Sequence, residues 1–265
     1  MAIESKLKKD KTFWRVIWVR IKNYLIRFKK SLSAAIILCG LIVGVDLYLG
    51  NVELVTQSLD IGVTLAFIVF VFFFLITKDD NPVDIIISGV EGESLVLDEL
   101  KKLDDNFILF NRVVLPDKLS KVGYREIDFI AISLNAIYVI EVKNNRGYIE
   151  VDSMAERWHV SKVTQNHKIY SKTIKNPLRQ AFAQKKVLQT FLCNEKVYIK
   201  GIPVIIIVVF ANEDAKLNDI FIANDANQAV LSLDHLISFI EMKDKYLEEM
   251  PSRSRRKMIK KLEKK

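Results

Sequence analysis

Residues 124–147, YREIDFIAISLNAIYVIEVKNNRG, decide how the rest of the chain is read. Two short apolar runs, Ile127 to Ser133 and Ala136 to Val142, flank a polar break at Leu134-Asn135. That pattern predicts a β-hairpin. Charges stand where a buried strand should have none: Asp128 interrupts the first run, and Glu141 and Lys143 interrupt the second. The two-residue period of a strand puts Glu141 and Lys143 on one face. A turn at Leu134-Asn135 sets Asp128 opposite Glu141, whereas a turn at Asn135-Ala136 sets Asp128 opposite Lys143 with Glu141 diagonal and still in reach. Either register collects two carboxylates and an amine at one end of a face lined by Ile130, Ile132, Ile137 and Val139. A three-residue loop would send one set of side chains to the other face.

Burying carboxylates costs free energy unless something compensates them, and two side by side repel each other. A hard divalent cation resolves both problems, because Mg2+ takes one or two carboxylates plus water and phosphate oxygens. A lysine beside such a site can orient or help deprotonate a water, so the residue types suit metal-assisted hydrolysis of a phosphodiester. A simple ion pair of Lys143 with Asp128 or Glu141 at a sheet edge accounts for the same charges without chemistry.

Downstream, Lys175 to Cys193 predicts a helix entered through Asn176-Pro177, with Leu178, Ala181, Phe182, Val187, Leu188 and Phe191 as its packing face. Gly201-Ile202-Pro203 leads into VIIIVVF, a strand covered on both faces. Short strands near Ile220 and Val230 and a helix from Asp234 to about Glu249 follow. Upstream, Gly89 to Asp104 predicts an amphipathic helix with Val90, Leu95, Leu97, Leu100 and Leu103 inward, and Phe107 to Leu115 a strand. Helix, antiparallel strands, helix, buried strand and helix together define an α/β layered domain with a mixed sheet.

Half of the 265 residues are hydrophobic, and the excess is local. Ser33 to Gly50 and Leu59 to Thr77 are apolar segments of membrane-spanning length, the second ending in AFIVFVFFFLIT. Asp46, near the outer end of the first, can reach the headgroup region. Residues 51–58 carry no Lys or Arg while both outer flanks do, so the positive-inside rule places both termini in the cytoplasm. Residues 1–32 form a basic segment with Phe13, Trp14, Ile17, Trp18, Ile21, Leu25 and Phe28 at helical spacing. It reads either as an interfacial helix on anionic lipid or as a solvated positive flank.

Charge is as uneven as hydropathy. Residues 1–30 carry ten Lys/Arg against two acids, and residues 252–265 carry eight against one. The 22 basic and 29 acidic residues between them give a net −7, so the overall +8 belongs to the ends. Residues 251–265, with Met258, Ile259 and Leu262 on one side, therefore read as a basic tail for anionic lipid contact or solubility, with nucleic-acid phosphate as a third reading. Two cysteines, Cys39 and Cys193, and three scattered histidines offer neither a disulfide framework nor zinc-ligand spacing.

Asp128, then twelve intervening residues, then Glu141-Val142-Lys143 resembles the D…(D/E)xK core of the PD-(D/E)xK nuclease superfamily. More narrowly, Gly89 to about Leu247 resembles NERD, the nuclease-related domain. The likeness rests on Gly92-Glu93, Ile127-Asp128, Tyr138 to Asn144, Gly147, Trp158, Asn176-Pro177 with Gln180, and the VIIIVVF strand. It implies a restriction-endonuclease-like mixed sheet flanked by helices over residues 85–250; the membrane hairpin at 33–77, read from the apolar segments, precedes it and lies outside the likeness. The resemblance also implies Asp128 and Glu141 as ligands of Mg2+ or Mn2+, and Lys143 as the residue that positions or activates water. Glu93 would be a further acidic contributor and Gln180 a supporting site residue. Asn135-Ala136 stands where similar sequences often have Gly, which touches turn geometry only. Pro116-Asp117 precedes the strand carrying Asp128 and takes no part.

The expectation is a two-span, membrane-anchored nuclease that faces the cytoplasm, has nucleic acid and membrane lipid as partners, and hydrolyses DNA or RNA. An inactive, membrane-tethered nucleic-acid-binding or scaffold protein is the alternative, since the body between the basic ends is acidic. A bilayer-perturbing effector that senses nucleic acid is a third.

Overall fold

In a computed structural model of the chain, residues 3–4, 12–48, 55–76, 82–163, 169–198, 200–218, 221–222 and 227–265 are described. They fall into two units, residues 10–87 and residues 88–265 with 1–9.

The first unit is a helical pair, α1 (Thr12–Tyr48) and α2 (Val55–Ile76). The basic segment and the first apolar segment, expected to be separate, run on as one helix, because no Pro or Gly-rich break lies between Phe28 and Ser33. The predicted external turn lies partly outside the described residues. Among the described residues no helix is long and apolar enough to cross a membrane.

The second unit is a mixed α/β fold. After α3 (Pro82–Leu100) come β2 (Ile108–Pro116), β3 (Tyr124–Ile132) and β4 (Ile137–Lys143), an antiparallel meander. The strand β1 (Ile3–Glu4) runs parallel to β2 at the edge. Strand β8 (Val204–Phe210) pairs parallel with β4, and β11 (Gln228–Ser232) parallel with β8; β10 (Phe221–Ile222) closes the order β1-β2-β3-β4-β8-β11-β10. All seven residues of β8 are buried, as a strand with helices on both faces requires.

One face of this sheet packs Ile130, Ile132, Ile137, Val139 and Ile206 against α4 (Pro177–Asn194). The other packs Phe129, Tyr138, Ile140 and Ile207 against Val96, Leu100 and Leu103 below α3 and against Leu236, Phe239 and Ile240 of α5 (Leu236–Lys245). A second sheet, β7-β6-β5-β9, is built from β5 (Gly147–Glu150), β6 (Arg157–Val163), β7 (Ile169–Lys175) and β9 (Ala215–Leu217). Trp158 stacks on Phe210 at 6.4 Å and joins it to the α4-side core.

Several local expectations change. Leu95 is 43% exposed, and Val96 takes the buried position instead, because Val96 and Leu100 at i and i+4 share one helical face, continued by Leu103 just past the helix end, while Leu95 lies off it. Residues 252–265, read as a solvated tail, form α6 (Ser252–Leu262), which buries Met258 and Leu262 in the α4-side core. Arg255 fastens this helix by donating from Nε to the Ser133 carbonyl at 2.8 Å and from a terminal nitrogen to that of Asn106. Burial pulls the Arg255 guanidinium below its ordinary pKa, opposed by the negative charges of Asp244 and Glu249.

Candidate active site

The β3–β4 register decides between the two turns. Ile132 faces Ile137 and Phe129 faces Ile140, so Leu134-Asn135 is the two-residue turn. Ser133 closes it: its N–H donates to the Ala136 carbonyl at 3.0 Å, and its Oγ accepts from the N–H groups of Asn135 and Ala136. Asn135 Nδ2 donates to Asp244 of α5, and this anchors a turn that lacks glycine. Tyr138 donates to the same carboxylate at 3.0 Å; burial first, and Asp244 second, hold its phenol well above the ordinary value.

This register aligns Asp128 with Glu141, but the ladder stops one pair short of them. Asp128 Oδ2 instead accepts the Val142 N–H at 2.8 Å. The alternation of faces breaks here on two strands at once. Phe110 and Ile130 point into the α4-side core, and so do Val113 and Ile127, although an unbroken period of two would send the latter pair to the opposite face. The flanking pairs Asn111 with Phe129 and Val113 with Ile127 place Arg112 beside Asp128 at the step, and Arg112 adopts φ 49°. A left-handed non-glycine residue costs on the order of 1–2 kcal/mol and points to a constrained site.

Glu141 is 1% exposed. Lys143 Nζ contacts its Oε1, and Gln184 Nε2 donates to its Oε2 at 2.6 Å. Lys143 also donates to Gln180 Oε1 at 3.2 Å, so Gln180 and Gln184, one helical turn apart on α4, grip the Lys143-Glu141 pair from above. Helix α4 is directed by its start: Asn176 Oδ1 accepts from Leu178 and Arg179 N–H, while Asn176 Nδ2 donates to the carbonyl of Ala155 at 2.7 Å. Glu93, on α3, accepts from Arg112 Nε at 2.7 Å rather than joining the Lys143 cluster. Gly92 explains how α3 comes this close, since a Cβ there would lie 2.8 Å from that of Asn144. Asn144 Nδ2 donates to the Ser88 carbonyl at 2.7 Å and completes the contact.

Burial is the main cause that pushes the Asp128 carboxyl well above its ordinary pKa; the Glu141 charge is next, and Glu93 adds to it. The Val142 N–H and Lys143 oppose the rise. The raised pKa thus favours a proton on Asp128 when no cation is present.

Of the five residues singled out in the sequence, four meet around Lys143 and Val142: Asp128, Glu141, Lys143 and Gln180. Glu93 acts through Arg112 and through its charge on Asp128. Two residues escaped the sequence reading. Gln184 was signalled only by its four-residue spacing from Gln180. Arg112 had no signal, since nothing in NRVV marks a left-handed turn of the chain.

Among the described residues no group of three or more His, Cys, Asp and Glu side chains is arranged to hold a metal ion. At this site the described residues offer two carboxylates, Asp128 and Glu141. Hard oxygen donors of that number fit Mg2+ or Mn2+, which complete their shells with water and phosphate oxygen. The buried Gln184 Oε1, which has no hydrogen-bond partner, is a further acceptor at the same place. A separate open cleft of about 520 Å3, lined by Ser94, Asn144, Arg146 and Asn212 and by the acids Glu91, Glu213 and Asp214, does not include Asp128 or Glu141.

A meander, a parallel crossover strand and helices on both sheet faces, with clustered acid, acid and lysine at one strand end, define a mixed α/β domain of nuclease-like construction. Residues 88–211 match the family model of the nuclease-related domain, NERD. That span runs from the end of α3 that carries Glu93 to Ala211, just past β8, and so contains every site residue named above. No curated protein and no solved structure matches the chain.

Proposed function

We propose that this protein is a membrane-anchored nuclease that hydrolyses phosphodiester bonds of nucleic acid with the help of Mg2+ or Mn2+. The observation that carries this reading is the gathering of Asp128, Glu141 and Lys143 at the kinked end of a buried hairpin, with Gln180 and Gln184 steering them. Asp128 and Glu141 would hold the cation, which when bound supplies Lewis-acid stabilisation of charge on the phosphate. Lys143, tethered by Gln180, orients the attacking water and keeps positive charge next to the developing anion. Gln184 fixes the rotamer of Glu141, and Val142 N–H that of Asp128. Purified protein should cleave DNA or RNA only with Mg2+ or Mn2+, and Glu141→Ala should not; metal-independent or absent cleavage by the parent protein defeats the proposal.

A specific observation favours the second reading, an inactive binding protein. Both Glu141 oxygens already have donors, Lys143 and Gln184, so the pair is satisfied without a metal. Isothermal titration with Mg2+ separates the two: heat that disappears in Asp128→Asn supports the nuclease, and none supports the binder.

The anchor rests on the apolar sequence of Ser33 to Gly50 and Leu59 to Thr77 and on the side-chain pattern of the helical pair, although among the described residues neither helix is long and apolar enough to cross a membrane. The helical pair's described buried positions are all small, Ser31, Ala35, Gly62 and Ala66, each pair spaced by four residues. Large apolar side chains face outward instead, among them Ile36, Ile37, Leu41, Phe67 and Phe72, each at least 59% exposed. Small residues between helices and large ones outside are the arrangement that lipid, not water, favours. Alkaline carbonate should leave the protein in the membrane pellet, with both termini on the cytoplasmic side by protease protection; release into the supernatant would remove the anchor from the proposal.

A further inference from the structure

We propose that the β6–β7 hairpin is the arm with which this protein grips the phosphate backbone of double-stranded DNA. This deepens the nuclease reading by naming the substrate form and its binding surface. The body between the two basic ends is acidic, which by itself opposes any polyanion. The charge is not spread evenly, however. Residues 157–175, RWHVSKVTQNHKIYSKTIK, hold five Lys/Arg and no acid. The rest of residues 31–251 then holds 17 basic against 29 acidic residues, a net −12.

The register shows where the described charges stand. Trp158 faces Ile174, Val160 faces Lys172 and Lys162 faces Tyr170, all on one side of the hairpin. Trp158 and Val160 are buried, but Lys162, Tyr170 and Lys172 on the same side are exposed, so the hairpin projects beyond the core with that side uncovered. Lys162 lies 5.4 Å from the Tyr170 ring. At the base, Arg157 and Lys175 form a cross-strand pair that like charges disfavour. Arg157 is held there by donating to Thr173 Oγ1 at 2.9 Å and to its carbonyl at 3.2 Å. Lysines do protect edge strands from pairing with other chains. That role does not account for Lys162 or Arg157, which lie on β6, inside the sheet, nor for the lack of any acid.

The arm is continuous with the site. Lys175 precedes Asn176, whose N–H donates to the Glu156 carbonyl beside Arg157, and α4 then runs through exposed Arg179 to Gln180, the partner of Lys143. A strand pair seven residues long extends roughly 20 Å, and a two-stranded ribbon fits the DNA major groove, whereas the A-form RNA groove is too deep and narrow for it.

The test is fluorescence anisotropy of the full-length protein, solubilised in neutral detergent with EDTA to prevent cleavage, against a DNA duplex between about 50 and 200 mM salt. Lys162→Gln/Lys172→Gln should weaken binding on the order of tenfold and lower the salt slope by about 2, as loss of two phosphate contacts requires. The matching double Lys→Arg protein should keep the slope, which guards against a folding artefact. Unchanged affinity and slope in the Gln variant overturn the proposal. So does hairpin-dependent binding that prefers an RNA duplex, or vesicles of phosphatidylserine, over DNA. If the parent protein binds DNA through the hairpin yet never cleaves it with Mg2+ or Mn2+, the nuclease reading fails and this inference stands. Cleavage with unchanged KM in the Gln variant overturns this inference alone.

Discussion

In β4 every residue from Ile137 to Glu141 is buried; in β7 every residue from Ile169 to Thr173 is exposed. Both strands belong to antiparallel hairpins, and both hairpins carry charge. In the first, β3–β4, three charged side chains share one end of a strand pair covered by helices on both faces. In the second, β6–β7, the described charges Arg157, Lys162, Lys172 and Lys175 are strung along a ribbon at the sheet edge, each in contact with solvent. Burial is what separates their consequences. A charge in water interacts weakly with its neighbours, whereas the same charge inside the fold is felt strongly by whatever lies beside it. Asp128 is accordingly displaced far from its ordinary pKa, while the basic ribbon keeps its charge free for a partner.

The largest contrast between the hairpins should appear in catalysis. Glu141→Gln keeps the shape of the site but removes the charge, and should lower kcat by about a thousandfold or more, the range for losing a group that acts at the reacting centre. Lys172→Gln, on the ribbon, should leave kcat within about twofold and act on KM. Steady-state cleavage of a labelled duplex measures both. A Glu141→Gln protein with near-normal kcat would erase the distinction.

Stability should separate the hairpins next. Ile130→Ala empties space in the α4-side core and should cost about 2–5 kcal/mol. Ile169→Ala, 76% exposed on β7, should stay within about 0.5 kcal/mol. Urea unfolding compares them directly.

The buried hairpin was the more legible of the two. Its apolar runs, its two-residue turn and the meeting of Asp128 with Glu141 follow from alternation and turn chemistry, which act locally. Two things did not follow. The paired kink at Arg112 and Asp128 is imposed across two strands by packing, so no single-strand period reveals it. The α4 face was read by hydrophobicity, which selected Phe182; that ring is 50% exposed, and the polar Gln184 is the side chain buried there. A polar residue is buried because of a partner distant in sequence, here Glu141, and the sequence period carries no mark of that partner. In α6 the apolar side of Met258, Ile259 and Leu262 was visible in the sequence, but what that side docks on was not, because the core residues it meets lie far away in the chain.

A smaller effect tests whether burial makes the Asp128 charge costly. Its folded-state pKa is raised, so the native state holds a proton that the unfolded chain releases. That contribution is fully present below about pH 4, the unfolded value, and is lost as pH rises through the folded value. Asp128→Asn keeps an acceptor for the Val142 N–H and removes the charge. In EDTA it should therefore be more stable than the parent at pH 7–8, with the gap closing toward pH 4. Mg2+ should raise the melting temperature of the parent and not of the variant. A variant less stable than the parent at pH 8 in EDTA would show that the carboxylate is better compensated than its surroundings suggest.

The smallest effect isolates the kink itself. Arg112 combines a left-handed φ of 49° with an ion pair to Glu93, so a single substitution would mix two effects. Comparing Arg112→Ala with Arg112→Gly removes the guanidinium in both and leaves only the backbone preference to differ. Glycine adopts positive φ without the Cβ clash, although its freer unfolded chain takes back part of the gain. Arg112→Gly should therefore exceed Arg112→Ala in stability by about 1 kcal/mol. The same pair of exchanges at Lys172, in an ordinary extended strand, should favour alanine, because glycine weakens a strand interior. If alanine wins at both positions, residue 112 does not hold the left-handed turn in solution. The step that brings Asp128 to Val142 must then arise from α4 packing alone.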